Sequence, residues 1–207
     1  MFERCPTCTS SYCPIPADGP VNAKVYCYGE RPGMQEEFAA RKALATSVVP
    51  DHLCFIGDAG AEFNQTYLGL AGLRRDEVRV GNTVLCGKDN NKKPTEAEVR
   101  ACAEWHMRQE LYEGKPRVVV LMGATACGLA PELDLDLDHG IPRRGKLFGW
   151  EGWIVAMFHP AAGLHQTSMM IYMLEDWSKL KDWLAHGTWQ WPNGLQYSSN
   201  DDTISPL

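Results

Sequence analysis

Short apolar runs alternate along this chain with longer amphipathic segments. The first clear run, Ala23-Lys24-Val25-Tyr26-Cys27-Tyr28, alternates apolar and polar side chains as a β-strand does. It ends on Gly29-Glu30-Arg31-Pro32-Gly33, where two glycines and a proline let the backbone turn sharply and approach a ligand closely. Met34 to Leu44 follows as a short helix or an ordered loop, closed by Pro50-Asp51-His52. A second glycine-punctuated turn, Cys54 to Gly60, leads into a helix expected over Ala61 to Leu73, with Phe63, Tyr67, Leu68 and Leu70 on its packed face. Val78 to Leu85 has strand character and ends at Cys86. Beyond the polar loop Gly87 to Lys93, Thr95 and Glu98 stand at capping-box spacing. Val99, Cys102, Ala103 and His106 then recur at the i, i+3, i+4, i+7 spacing of one helix face.

Arg117 to Met122 is a continuous β-branched and apolar run, as in a central parallel strand buried on both faces. Gly123-Ala124-Thr125-Ala126 turns it into another helix, and Trp153 to Phe158 reads as the last strand, ending at His159-Pro160. Ser168 to Ala185 predicts a terminal amphipathic helix with Met170, Met173, Leu174, Trp177, Leu180 and Leu184 on one stripe. Strands alternating with helices predict an α/β fold, a three-layer α/β/α sandwich around a short, mainly parallel central sheet. In such a sheet ligands bind beyond the carboxyl ends of the strands, where the Gly29 turn sits.

Composition narrows the class. A chain of 207 residues, 44% hydrophobic and 22% charged, suits one globular domain with a sizeable core. That domain is expected over residues 1–185, with a cysteine-bearing arm at 1–22 and a flexible tail at 186–207 that Trp189 and Trp191 could pin. No leader-like or membrane-spanning apolar run is present, so a cytoplasmic monomer without membrane contact is expected. In that setting eight cysteines argue for metal binding or buried thiols before disulfides. The net charge of −6 counts against strong non-specific binding to nucleic acid. Basic groups at Arg74-Arg75, at Lys88 with Lys92-Lys93, and at Arg143-Arg144 with Lys146 keep DNA open as a partner if they converge on one face.

Single motifs say little here. Cys5-x-x-Cys8 alone fits half a zinc site, a redox pair or part of an iron–sulfur site. A Phe after a loop is usually core, an Asn in a strand often marks a bulge, and a His before Pro is often a turn residue. Their order is more specific: Cys5-x-x-Cys8, Gly29-Glu30-x-Pro32-Gly33-x-x-Glu36, Phe55-x-Gly57-x-Ala59-Gly60, Asn82-x-x-x-Cys86, Cys102, Gly123-x-x-Ala126 and Phe158-His159-Pro160. Together, over roughly Cys5 to Leu184, they resemble the iron–sulfur-containing branch of the uracil-DNA glycosylase superfamily, usually called family 4.

The resemblance implies a DNA glycosylase that flips uracil out of DNA and hydrolyses its N-glycosidic bond. It implies a [4Fe–4S] cluster on Cys5, Cys8, Cys86 and Cys102, with Cys13 as a possible substitute. Four thiolates suit zinc equally well, so the cluster rests on the resemblance alone. Cys27, Cys54 and Cys127 read as buried hydrophobes. By the same resemblance Phe55 stacks on the base, Asn82 reads its edge and His159 donates to its oxygen as negative charge develops. Gly29, Gly33 and Glu36 are expected to bind the substrate, and Leu164, in Pro160 to His165, is the wedge that fills the gap left by the base.

The chain departs from the family at Arg31, which stands where a small residue is usual and cannot act as a base. Arg31 could instead bind a phosphate or a base substituent, leaving Glu30 to position the water. About a dozen extra residues precede Phe55, Glu37 replaces an aspartate, and Gly33 stands where thymine-excluding branches carry an aromatic. Two alternatives follow: a glycosylase for a modified or bulkier pyrimidine, and a protein that binds or traps uracil-DNA without turnover. A cluster-stabilised structural module is the outsider.

Overall fold

The computed structural model describes residues 5–6, 8, 10–88, 92–190 and 196–198. Its central sheet is built from β1 (Val25–Gly29), β2 (Arg79–Asn82), β3 (Val118–Met122), β4 (Pro142–Leu147) and β5 (Trp150–Met157), in the order β2-β1-β3-β5-β4. The first four in that order run parallel, and β4 joins the edge antiparallel to β5. Strand periodicity divides the core into two layers. Val25, Cys27, Val118, Val120, Met122, Trp153, Val155 and Met157 face one side, while Tyr26, Tyr28, Val119, Leu121, Ile154 and Ala156 face the other.

Helices cover both faces. The first layer packs against α2 (Asp58–Glu62), α3 (Leu68–Leu70) and α8 (Thr167–His186), through Phe63, Tyr67, Leu68, Trp177, Leu180 and Trp183. The second packs against α4 (Glu96–Gly114) and the short α5 (Ala124–Cys127), through Ala103, Met107, Leu111 and Ala126. The three-layer sandwich and its mainly parallel sheet are as the sequence predicts. α4 starts on the expected capping box: Thr95 Oγ1 accepts from Glu98 N, and a Glu98 carboxylate oxygen accepts from Thr95 N at 2.7 Å. Lys88, then those Thr95 hydrogen bonds, hold the Glu98 carboxyl at about 2.

Several boundaries differ from the sequence reading, each for a local reason. Met34 to Leu44 is helical, as α1 (Met34–Thr46). The helix expected from Ala61 begins at Asp58 and passes through a π-helical turn, Phe63–Tyr67. β4 escapes the sequence pattern because Pro-Arg-Arg-Gly-Lys-Leu carries charged side chains to the solvated edge of the sheet, where they discourage further pairing. With β4 in place, β5 begins at Trp150 instead of Trp153. On α8, Met170 is only partly buried, while Trp183 and Asp176 join the buried stripe. In the tail, Thr188–Gln190 (β6) and Gln196–Ser198 (β7) pair as an antiparallel hairpin where fraying was expected. Trp191 lies outside the described residues.

The arm is less irregular than its composition implies. Asp18 exchanges backbone hydrogen bonds with Val80, and Ile15 N donates to Leu85 O, so the arm lies along the otherwise open edge of β2. The Asp18 carboxylate then accepts from Leu53 N and Cys54 N, both at 2.8 Å, and pairs with Arg75. One aspartate thereby fastens the loop that carries Phe55.

Candidate active site

At the carboxyl ends of β1, β2 and β3 a pocket of about 450 Å³ opens, within the usual range for small-ligand sites. It is lined by Glu30, Arg31, Gly33, Glu36, Phe55, Asn82 and His159, residues from four separated stretches of chain. Phe55 is held in a left-handed conformation, φ 58°, which is costly for a bulky residue. Its N–H donates to Glu36 Oε1 at 2.9 Å, and its carbonyl accepts from Asn64 Nδ2 at 2.9 Å. Its ring lies 5.1 Å from the ring of Phe63 and 5.7 Å from that of His159. The strained backbone is thus clamped from both sides, and the ring is fixed as a wall of the pocket.

Glu36 is a positioning residue. While Oε1 holds Phe55, Oε2 accepts from Gly33 N at 2.5 Å, so one carboxylate joins the Gly29 turn to the aromatic wall. Burial raises its pKa, against the opposing pull of these backbone donors. Gly29 does not line the pocket but stands behind it. A Cβ there would come within 2.7 Å of the Phe55 ring and 2.8 Å of Asn82 Oδ1.

Asn82 ends β2 in register with Gly29 and is 2% exposed. No side-chain hydrogen bond among the described residues engages its amide, which leaves a donor and an acceptor for a ligand. His159 caps α7 (Pro160–His165), and its Nδ1 accepts from Ala161 N at 3.2 Å. That bond places the proton of the neutral ring on Nε2. Burial lowers the His159 pKa, with Glu30 pulling weakly the other way, so the ring is a neutral donor. Pro160 at the first helical position makes Pro160 to His165 a helix in place of a loop. Leu164 is 48% exposed on that helix and lies outside the pocket.

The pocket holds three carboxylates among its lining residues. Both oxygens of Glu36 are engaged, and Asp58 is exposed at the start of α2. Glu30 is oriented by Thr125, whose hydroxyl donates to Oε2, while Oε1 keeps its acceptor capacity. Thr125, Asp58 and Lys93 are lining residues that sequence reasoning missed. Gly123-x-x-Ala126 marked the segment containing Thr125, but its partner Glu30 is far away in sequence. Arg31 lies in the wall, its Nη1 donating to the Lys92 carbonyl at 3.0 Å and its Nε buried without a partner.

Arg31 also lines a second hollow of about 460 Å³, in which Cys5, Cys8, Cys86 and Cys102 come together. Cys8 Sγ lies 3.9 Å from Cys86 Sγ, and Leu85 N points to Cys102 Sγ at 3.4 Å. None of the four is in a disulfide. Burial, aided by Cys5 and Cys8, pushes the Cys102 thiol up to about 12. Among the described residues no three His, Cys, Asp or Glu side chains converge closely enough to grip a single metal ion. Cys27, Cys54 and Cys127 are buried apart from this hollow, as expected of hydrophobic thiols. Cys13 is half-buried and does not line the hollow, which leaves it no ligand role in this arrangement.

An aromatic wall, an unengaged amide, a neutral imidazole donor and one available carboxylate suit an enzyme that holds a flat, hydrogen-bonding ring while a bond to it is cut. Sequence comparison agrees. The chain belongs to the Uracil DNA glycosylase superfamily, whose family model matches residues 16–184. It is 29% identical over 197 residues to the type-4 uracil-DNA glycosylase of Thermotoga maritima, covering 89% of this chain and 93% of that protein. The type-4 uracil-DNA glycosylase of Archaeoglobus fulgidus is 29% identical over 172 residues, covering 80% and 79% respectively. That of Saccharolobus solfataricus is 27% identical over 177 residues, covering 83% and 76%.

Proposed function

We propose that this protein is a monofunctional uracil-DNA glycosylase, acting as a monomer on DNA in the cytoplasm. The observation that carries this reading is the convergence of Glu30, Phe55, Asn82 and His159 on one pocket. A uracil flipped into it stacks on Phe55 and pairs its edge with the Asn82 amide. His159 Nε2–H donates to a uracil oxygen, and Glu30 Oε1 orients a water molecule toward the sugar carbon. As the bond from that carbon to the base breaks, its electron pair leaves with the base, and His159 stabilises the resulting anion. The water oxygen bonds to the sugar carbon, and its proton neutralises the departing base. Leu164, exposed just beyond His159, fills the space vacated in the DNA. Arg31 offers its remaining guanidinium donors to a phosphate oxygen.

The four cysteines gathered in one hollow support a metal-binding reading, and the resemblance to the iron–sulfur branch makes the group a cluster. Four thiolates from the arm, the end of the β2 segment and α4 are the donor set that such a cluster takes. Cys5, Cys8, Cys86 and Cys102 would hold a [4Fe–4S] cluster there. When bound, such a cluster ties the arm to α4 and the end of β2.

Single-turnover assays on single- and double-stranded oligonucleotides, carrying uracil or modified pyrimidines, test the function. Uracil release leaving an intact abasic strand is expected. Release of only a bulkier pyrimidine would change the substrate. Tight binding of uracil-DNA without release would replace the glycosylase reading with that of a trap.

A further inference from the structure

Beside the base pocket lies a smaller hollow of about 230 Å³, whose walls include Tyr12, Met34, Glu37, Phe38, Arg41 and Lys88. The two spaces share Gly33 and Met34 in their walls, so they adjoin at the start of α1. α1 packs inward through Glu37, Ala40 and Ala43. Its outward face carries Met34, 78% exposed, and Phe38, 71% exposed. They stand four residues apart, one above the other on the helix surface. A large aromatic ring left this bare at the mouth of a base pocket is unexplained by the packing of the domain.

The charges around it indicate what would cover it. The Arg41 guanidinium is held 5.0 Å over the Tyr12 ring and attracts the Glu37 carboxylate one turn before it, with no ion-pair contact to it among the described residues. Lys88 is already paired with Glu98 at 2.8 Å. The Glu37 carboxylate faces inward, with Oε1 accepting from Gly87 N at 2.7 Å. An exposed ring and an exposed guanidinium lining one hollow beside a base pocket supply the two contacts that recognise a nucleotide. The ring stacks on a base, and the cation meets a phosphate.

We propose that this hollow is a subsite for the nucleotide adjoining the flipped one, with its base against Phe38 and its phosphate at Arg41. The subsite rests on the glycosylase reading and deepens it. A base lying on Phe38 has left its own stack, so the subsite selects DNA that is unpaired next to the target. Single-stranded uracil-DNA is therefore the better substrate, and α1 is the reason.

The test is an abasic scan. Short uracil-containing oligonucleotides carry a tetrahydrofuran residue in place of the base on one side of the uracil or the other. Release is then measured with enzyme below saturation. The parent enzyme is expected to slow roughly tenfold when the base is missing on one side and not on the other, as loss of one stacking contact requires. Phe38→Ala should slow the complete substrate to a similar degree and lose its response to the missing base. Arg41→Ala should flatten the salt dependence by about one phosphate contact. Uracil release with a flat scan on both sides would overturn the subsite alone. A Phe38→Ala variant that keeps the full response would do the same. No uracil release from any substrate would remove the glycosylase reading and the subsite with it. The scan on the parent enzyme needs no variant to fold.

Discussion

The sharpest test of how this site is built is a single methyl group, Gly29→Ala. The new Cβ would sit 2.7 Å from the Phe55 ring and 2.8 Å from Asn82 Oδ1, where ordinary contact begins near 3.4 Å, so each must give by about 0.6–0.7 Å. Neither can yield easily. Phe55 is clamped by Glu36 and Asn64 in a left-handed backbone, and Asn82 is buried at the end of β2. Overpacking of this kind costs about 1–3 kcal/mol, or about 2–4 °C of Tm per kcal/mol in a chain of this size. Because the displaced groups are the proposed base contacts, release should fall on the order of 10²-fold, the usual consequence of a misplacement near 1 Å. Gly81→Ala is the control. Its Cβ would come as close, 2.7 Å, but to Ala17 in the arm and away from the pocket. Thermal melting and single-turnover release should therefore separate the two: similar losses of Tm, but a large rate loss only for Gly29→Ala. A Gly29→Ala enzyme with the parental rate, or a Gly81→Ala enzyme equally slowed, would refute the reasoning.

Three further outcomes are expected. His159 is held neutral by burial, so its protonation should begin only below the usual histidine value of about 6.5. Protonation would also place a proton on Nδ1, which now accepts from Ala161 N. Release should hold through neutral pH and fall below it, and a histidine-dependent loss already at pH 7.5 would contradict the assignment. Since the unfolded chain takes up that proton first, His159 also withdraws stability as pH falls from about 6.5, measurable by melting parent and His159→Ala across pH. His159→Ala should slow the chemical step about 10²–10³-fold, and Asn82→Ala should both slow release and blur the distinction between uracil and cytosine. Unchanged rates in both variants would mean the site is elsewhere. The purified protein should be brown, with iron and acid-labile sulfide, and Cys102→Ser should bleach it and lower its Tm; a colourless protein with one zinc would reject the cluster and leave the four-thiol site standing.

Much of the fold was legible in the chain because local patterns report local necessities. Alternation in Val25 to Tyr28 marks a strand, though not its burial on both faces, whereas the unbroken apolar run in Val118 to Met122 marks one covered on both, since any other placement would expose apolar surface. Thr95 and Glu98 start α4 because they can satisfy each other's backbone donors without help from elsewhere. Glu30, Phe55, Asn82 and His159 were marked as one candidate site through the resemblance of the ordered motifs to a known family.

What the sequence could not carry is which groups meet across the fold. Glu36 looked like a lining residue, and only the path of the chain makes it the clamp between Gly33 and Phe55. Asp18 appeared in no motif, yet it fastens the Phe55 loop because the arm happens to run along β2. β4 was missed because an edge strand with one solvated face need not show apolar periodicity. Thr125 gained its role only when β1 and β3 became neighbours and brought Glu30 within reach. Side-chain pattern determines which face of an element is buried. Which partners that face then meets, and at what distance, is settled by tertiary packing alone, because hydrogen bonds and van der Waals contacts act over a few ångströms of space regardless of separation in sequence.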